Sequence, residues 1–477
     1  MDIRQPAGFP CDDGKPPLDH LSPDIAVIGG GPAGAIAAGR LCRMGYRVCL
    51  IERRGLARPV IGESLPASTL RLLHGIGLAS AVERVDPLHC EEMLQRWGRD
   101  ENARPASAFM IDRGRFDAAL LEVAAATGVE ILCPARLRHH EQTATGWNLE
   151  VDSSVGAVRL TARFLIDARG RRAAGERRLG ASTAALCGRW RGVALPVRPQ
   201  LRIEAAENAW IWGAPLADRS FVVQAFLRTR DCAGLDQAGR EARYRAVLQE
   251  SKLFADCRDG ILIDPVRIRD ATGRAAVEPV TRNMVRIGDS CVAMDPLSSQ
   301  GVQSAIRSAL QGSVVANTML SGGDADAAIE FYQSSVHAIA ERHRETAAAL
   351  YADRNNSASP FWLERASSPS APPPAVEPGR IALPSFVRLS SDARLVDHPV
   401  IEGDVIRRRP ALIHPRLSEP TAFVEGIALS RAIAPIGAGD RVETILAQWA
   451  PLMPAATAQA LLAWLIRHDV LIPAEGD

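Results

Sequence analysis

The chain has 477 residues, too many for one compact core, and its length suggests roughly three domains. Apolar residues make up 47% and charged residues 23%, and the formal net charge is +1, so no global field draws it to nucleic acid or to an anionic membrane. No stretch reaches the ~18 continuous apolar residues of a membrane span, and residues 1–23 lack the apolar core of a signal peptide. Nine scattered cysteines without a CxxC pair argue against zinc sites and a disulfide framework. A cytoplasmic protein is expected, with no metal, no membrane and no nucleic-acid partner.

Taken in order, Asp24–Gly29 predicts a short buried strand, Pro32–Met44 a helix of small residues and Tyr46–Glu52 a second strand. Helical periodicity returns at Ser68–Ile76 and at Arg115–Thr127, where Phe116, Leu120, Leu121 and Ala124 share a face. Strand patterns recur at Val129–Leu132, Trp147–Val151, Val158–Thr161 and Phe164–Asp167. Residues 181–280 hold the strand-like runs Trp190–Pro196 and Phe221–Arg228 and a helix near Gln237–Glu250, a pattern suited to a substrate-covering sheet. A strand at Met284–Gly288 and helices at Val302–Leu320 and Ala325–Tyr351 then return to the first domain, which is expected to be discontinuous over 24–180 and 281–350. The Ser-, Pro- and Ala-rich residues 355–380 predict a linker. Residues 381–477 carry short strands and three short helices, the outline of a small winged-helix-like α+β domain.

Gly29-Gly30-Gly31-Pro32-Ala33-Gly34 fits G-x-G-x-x-G, between a strand and a helix. In that setting the first glycine permits the tight turn, the second lets a pyrophosphate approach the backbone, and the third lets helix and strand pack closely. Phosphates then meet the free N–H groups and positive dipole end of a helix. Glu52 stands 18 residues beyond Gly34, at the end of the next strand, where it can accept ribose hydroxyl hydrogen bonds. Arg53 and Arg54 are candidates for the adenosine edge.

Further motifs are Gly62-Glu63-Ser64-Leu65-Pro66, Asp112-Arg113 followed by Phe116-Asp117, Leu165-Ile166-Asp167, Gly288-Asp289 and Asp295-Pro296-Leu297-Ser298-Ser299-Gln300-Gly301-Val302. In this order they resemble the FAD-dependent monooxygenases of the p-hydroxybenzoate hydroxylase fold, specifically the tryptophan-halogenase-like branch, over about residues 24–350. The resemblance implies an FAD-binding Rossmann-like α/β domain with a β-sheet substrate domain. It also implies that Arg113 reaches the FAD phosphates, Asp289 binds the ribityl chain, and Pro296, Gly301 and Val302 lie along the isoalloxazine ring.

The halogenase relatives place a lysine beyond the Gly-Glu segment to capture a hypohalous species, and a glutamate beside the flavin to orient it. Here Lys15 and Lys252 are the only lysines among 56 basic residues, and Ser298 stands near the glutamate position. The related Trp-x-Trp-x-Ile-Pro signature becomes Trp210-Ile211-Trp212-Gly213-Ala214-Pro215. These departures favour a hydroxylase. The protein must then exclude water and hold an electron-rich aromatic near the flavin, and a base can assist by taking an aromatic N–H proton. Glu63 is the leading candidate for that base, with a capping role beside Ser64 as its bland alternative; His74 and His89 are weaker candidates.

Residues 416–477 hold four arginines against seven acids, the opposite of a DNA reader's basic footprint. The terminal domain is therefore expected to bind protein or peptide. Together these features resemble the flavoprotein monooxygenases that mature tryptophylquinone cofactors. That resemblance implies a tryptophan inside a protein substrate, O2 as co-substrate, and NAD(P)H as electron source, directly or through a flavin reductase. A second maturation enzyme would be a further partner. A hydroxylase of a free aromatic natural product, a halogenase and a non-catalytic flavin-binding regulator are the alternatives.

Overall fold

The computed structural model describes residues 19–55, 63–98, 100–154, 156–173, 177–194, 196–352, 359–366, 384–437 and 439–474. The chain divides into two compact units, residues 1–320 with 332–370, and residues 321–331 with 371–477.

At the centre of the first unit is a six-stranded sheet in the order Val280–Thr281, Met284–Arg286, Phe164–Asp167, Ile25–Ile28, Val48–Ile51, Glu130–Leu132. All neighbours are parallel except the first pair. Parallel strands covered on both faces read as continuous apolar runs, and Ile25-Ala26-Val27-Ile28 and Val48-Cys49-Leu50-Ile51 are buried throughout. One face packs against a four-stranded sheet through Leu149, Val151 and Leu160. Helix Pro32–Arg43 packs against both Arg113–Ala126 and Gly301–Leu320.

A larger sheet of nine strands runs from Ile261–Leu262 through Thr183–Arg191, Phe221–Arg228, Trp210–Pro215, Gln200–Ala205, Leu88–Trp97 and Asp100–Ile111 to Glu63–Pro66, with Arg267–Asp270 paired to Thr183–Arg191. Helix Gln237–Gln249 covers it, with Tyr244, Trp190 and Phe254 in the shared core. Three expectations change here. Residues 63–111 supply three strands to this sheet and are not part of the dinucleotide-binding sheet. The strand expected over Trp190–Pro196 ends at Arg191 because it starts earlier, at Thr183, where Phe221–Arg228 pairs with it. Within the expected linker 355–380, Pro360–Ala366 is a helix, and the rest of that stretch, apart from Ser359, lies outside the described residues.

That short helix is bound to the large sheet by named contacts. Phe361 and Trp362 are buried, and the Trp362 indole N–H donates to the carbonyls of Ala206 and Glu207 at 3.1 and 3.0 Å. Arg365 donates to Thr183 Oγ1 and to the Ser182 carbonyl, with its guanidinium 3.9 Å from the Phe361 ring centroid. Stacked and cation–π contacts of this kind add to area burial. Composition alone hides such a helix.

The second unit holds helices Leu429–Ile433, Val442–Trp449 and Ala455–Arg467 with a three-stranded sheet in the order Asp440–Arg441, Phe386–Leu389, Leu471–Pro473. Its core gathers Val387, Ile445, Trp449, Leu461, Leu462 and Leu465, and the Trp449 N–H donates to the Ala432 carbonyl at 2.8 Å. A long hairpin, Arg394–Glu402 with Val405–Ile413, precedes the helices. The arginine run in its second strand is ion-paired: Arg407 and Arg409 meet Glu402, and Arg408 meets Glu330 and Asp324.

Candidate functional site

The glycine loop is a crossing of backbones. Gly29 has φ +110°, and a Cβ there would lie 2.3 Å from the Ala168 carbonyl oxygen. A Cβ on Gly34 would lie 1.9 Å from the carbonyl oxygen of Gly29. Both positions therefore require glycine. At Gly31 the same construction meets nothing within 4 Å. The loop opens helix Pro32–Arg43 with no side-chain cap and no acid in its first turn, so the N–H groups there are not taken by the chain's own side chains. Glu52 is buried, and its carboxylate accepts from the N–H of Gly30 at 2.7 Å and of Arg54 at 2.8 Å. Those bonds fix the loop against the second strand, a role beyond the expected ribose contact. Arg53 is exposed beside it.

Gly288 and Asp289 reach the same place. Gly288 has φ +62°, its added Cβ would stand 2.9 Å from the Ala33 Cβ, and its N–H meets Ser308 Oγ at 2.8 Å. The Gly-Asp turn is thus seated between the first turn of Pro32–Arg43 and helix Gly301–Leu320. Arg171, which the sequence did not single out, ties it down. Its guanidinium is 3.3 Å from the Asp289 carboxylate and also donates to the carbonyls of Thr272 and Met294. Its position four residues after the Leu165-Ile166-Asp167 strand was the available signal.

Strand pairing delivers the acidic candidate. Glu63 lies opposite Ile111, and Ser64 opposite Met110. Two residues beyond Ile111, Arg113 begins its helix, with Asp112 capping it by accepting from the Arg115 N–H. The Arg113 guanidinium donates to Glu63 Oε2 at 3.0 Å and to Asp117 Oδ1 at 3.0 Å. Glu63 is strand-bound, so the capping alternative does not hold. Arg113 has two carboxylate partners in addition to any phosphate it reaches. Burial pushes the Glu63 carboxyl above its ordinary range against the opposing pull of Arg113, with Asp289 and Asp117 adding to the rise. His74 and His89 are exposed, His89 stacking on Phe109.

Asp295-Pro296-Leu297-Ser298 forms a short turn capped by the Asp295 carboxylate, which accepts from the Leu297 N–H at 3.0 Å. Ser299 follows in the left-handed region at φ +51°, and Gly301 and Val302 open the next helix. Ser298 Oγ is occupied locally, donating to the Asp295 carbonyl. The Asp295 N–H donates to Nε2 of buried His343 at 2.6 Å, so that nitrogen carries no proton. Burial, with Arg171 adding to it, lowers the His343 pKa to about 4.

These features fit FAD. An uncapped helix start with open space at Gly31, a second glycine turn packed on Ala33, and a helix beginning at Gly301 would hold the pyrophosphate, ribityl chain and ring. Bound FAD supplies two-electron redox chemistry. Gly31→Leu is expected to leave the apoprotein's unfolding midpoint near that of the wild type while abolishing copurified FAD. Gly34→Ala, which drives a methyl into a carbonyl, should lower the midpoint as well. Full flavin occupancy in Gly31→Leu refutes the placement. His343 gives a pH prediction. Its pKa falls from 6.5 to about 4 on folding, so its stabilising contribution is complete above pH 6.5 and is lost as pH falls toward 4, by up to roughly 3 kcal/mol. His343→Gln keeps an acceptor and should flatten that part of the stability profile; a profile parallel to the wild type contradicts it.

Comparison with known proteins agrees with this geometry. The chain matches the FAD binding domain family over residues 22–347. It is 28% identical over 373 residues to the tryptophan 2-halogenase of Chondromyces crocatus, spanning 72% of this chain and 70% of that protein. Among solved structures, the peptidyl tryptophan dihydroxylase QhpG, essential for tryptophylquinone cofactor biogenesis, superposes with a TM-score of 0.75 at 26% identity, covering 94% of this chain and 99% of that one. The flavin-dependent halogenase CmlS shares the fold at TM-score 0.77 and 18% identity, covering 96% and 97%. Matched over more than half its length, the chain belongs to the FAD binding domain family and is a flavin-dependent oxidoreductase with the fold of the halogenases and hydroxylases.

Proposed function

We propose that this enzyme is a monooxygenase that hydroxylates an electron-rich aromatic, and that its target is a tryptophan side chain within a protein on the route to a tryptophylquinone. The likeness to QhpG along nearly the whole of both chains supports the target. The observation that carries hydroxylation over halogenation is the lysine count. Lys15 precedes the first strand, and Lys252 is exposed at the end of helix Gln237–Gln249, so neither supplies the amine that halogenase relatives use beyond Gly62-Glu63. Arginine does not replace it, because a guanidinium stays protonated and is a poor nucleophile.

In this reading Glu63 takes the proton from the aromatic N–H. Arg113 holds its Oε2, and among the described residues Oε1 has no hydrogen-bond partner. A carboxyl raised toward the working pH is a more effective base than an ordinary one. Arg113 is kept in line by Asp117 and therefore orients Glu63. Dioxygen is the co-substrate. The sequence holds one dinucleotide loop, so NAD(P)H docks transiently or reduces a separate flavin reductase. The acidic C-terminal unit recruits the protein substrate, together with a second maturation enzyme.

The experiment is mass spectrometry of the aromatic product after reduction and aeration with bromide present. Oxygen is expected in the product and halogen is not; a brominated ring overturns the reading. Glu63→Gln should retain FAD yet slow hydroxylation by about 10²–10⁴-fold. An unchanged rate removes Glu63 from the role of base.

A further inference from the structure

A buried phenol joins the large sheet to the turn that opens helix Gly301–Leu320. Tyr351, near the end of helix Ala325–Ala352, is 3% exposed. Its hydroxyl lies 3.1 Å from each Asp295 carboxylate oxygen and donates to that group. The same oxygen accepts the Trp210 indole N–H at 3.1 Å. His343, two helical turns earlier on the same face, accepts from the Asp295 N–H. Asp295 is therefore gripped at backbone and side chain by one helix and, through the phenol, by one strand of the sheet.

Each partner is itself immobilised. Trp210 is buried and stacks on Phe226 with ring centroids 3.7 Å apart. The Tyr351 ring packs against Phe361 and Trp362 of the short helix, and the Arg365 guanidinium lies 5.8 Å from its centroid. Removing that hydroxyl leaves the buried Trp210 indole N–H without its acceptor. Leu297, two residues after Asp295, packs on the same aromatic cluster, as does Trp212, two residues after Trp210. The segment expected along the flavin ring and the Trp-x-Trp segment thus share one polar junction.

We propose that Tyr351 is a positioning residue for the bound flavin: through Asp295 it sets the turn Asp295–Gly301, and through Trp210 it registers that turn against the large sheet. The assignment rests on FAD binding alone and is independent of which aromatic is oxidised. Asp295 supports it chemically. Burial pushes this carboxyl above its ordinary range, while the Leu297 N–H and the Tyr351 hydroxyl pull the other way, so loss of the phenol raises it further and alters the geometry at the turn.

The test uses the full-length holoenzyme and Tyr351→Phe, which keeps the ring and removes the hydroxyl. The FAD dissociation constant should rise about tenfold, the scale of one lost hydrogen bond to a charged group. The reduction potential and visible circular dichroism of the bound flavin should change with it. In Tyr351→Phe/Asp295→Ala the flavin effects should be smaller than the sum of the two single variants, because the Tyr351–Asp295 hydrogen bond is already lost in each. A merely structural tyrosine would lower the unfolding midpoint and leave flavin affinity, potential and dichroism at wild-type values, and that result overturns the proposal. Full additivity in the double variant does the same. If Tyr351→Phe does not fold, Trp210→Phe decides: altered flavin readouts support the assignment, and unaltered ones reject it.

Discussion

A methyl group on residue 34 would stand 1.9 Å from the carbonyl oxygen of Gly29. Everything that makes this chain a flavoprotein depends on that contact. Because the helix backbone touches the strand backbone there, the first N–H groups of Pro32–Arg43 open onto space free of protein at Gly31. Because Ala33 faces Gly288 at similarly close range, the second flavin segment lies against the same turn. Three chain segments, around residues 29–34, 168 and 288, meet here at glycines that leave no room for a Cβ, which is how a small volume comes to be lined by backbone donors.

Around that crossing the charges alternate. Asp117, Arg113 and Glu63 form one hydrogen-bonded series, and Asp289 with Arg171 forms another whose carboxylate acts on Glu63. Burial raises the Glu63 carboxyl, and a single guanidinium keeps that rise in check. The Glu63 carboxyl is therefore sensitive to its neighbours, with the Asp289 and Asp117 carboxylates both adding to its rise. Arg171 also binds the Met294 carbonyl next to Asp295, linking the charged series to the turn held by Tyr351 and His343.

Much of the dinucleotide-binding sheet was legible in sequence because buried parallel strands are continuous apolar runs, and Phe164–Asp167 lies where its pattern predicts, as does Phe221–Arg228 of the nine-stranded sheet. The strands Leu88–Trp97 and Asp100–Ile111 were not. Many of their residues are charged or half-exposed and Pro105 interrupts the second; they pair with each other as a hairpin whose outer edges are held by Gln200–Ala205 and Glu63–Pro66, distant in sequence. Helix Pro360–Ala366 was hidden by its Ser- and Pro-rich flanks, since composition weighs those residues equally with Phe361 and Trp362. Glycine roles at positions 29 and 34 follow from local spacing. The Arg113–Glu63 bond spans 50 residues and the Trp210–Tyr351 bond 141, and no local pattern encodes either.

The ancestral fold is shared by enzymes that halogenate and enzymes that hydroxylate, and the difference lies in which side chains stand beside the flavin. In the proposed reading Glu63 and Ser298 stand there, and among the described residues the one lysine, Lys252, lies just past helix Gln237–Gln249, which supports direct oxygen transfer. The most direct test is turnover of the reduced holoenzyme under ¹⁸O₂ with a tryptophan-bearing protein substrate. The account predicts that the heavy oxygen appears on the indole ring. A product whose oxygen comes from water, or a ring left unmodified while all of the label leaves as peroxide, would contradict it.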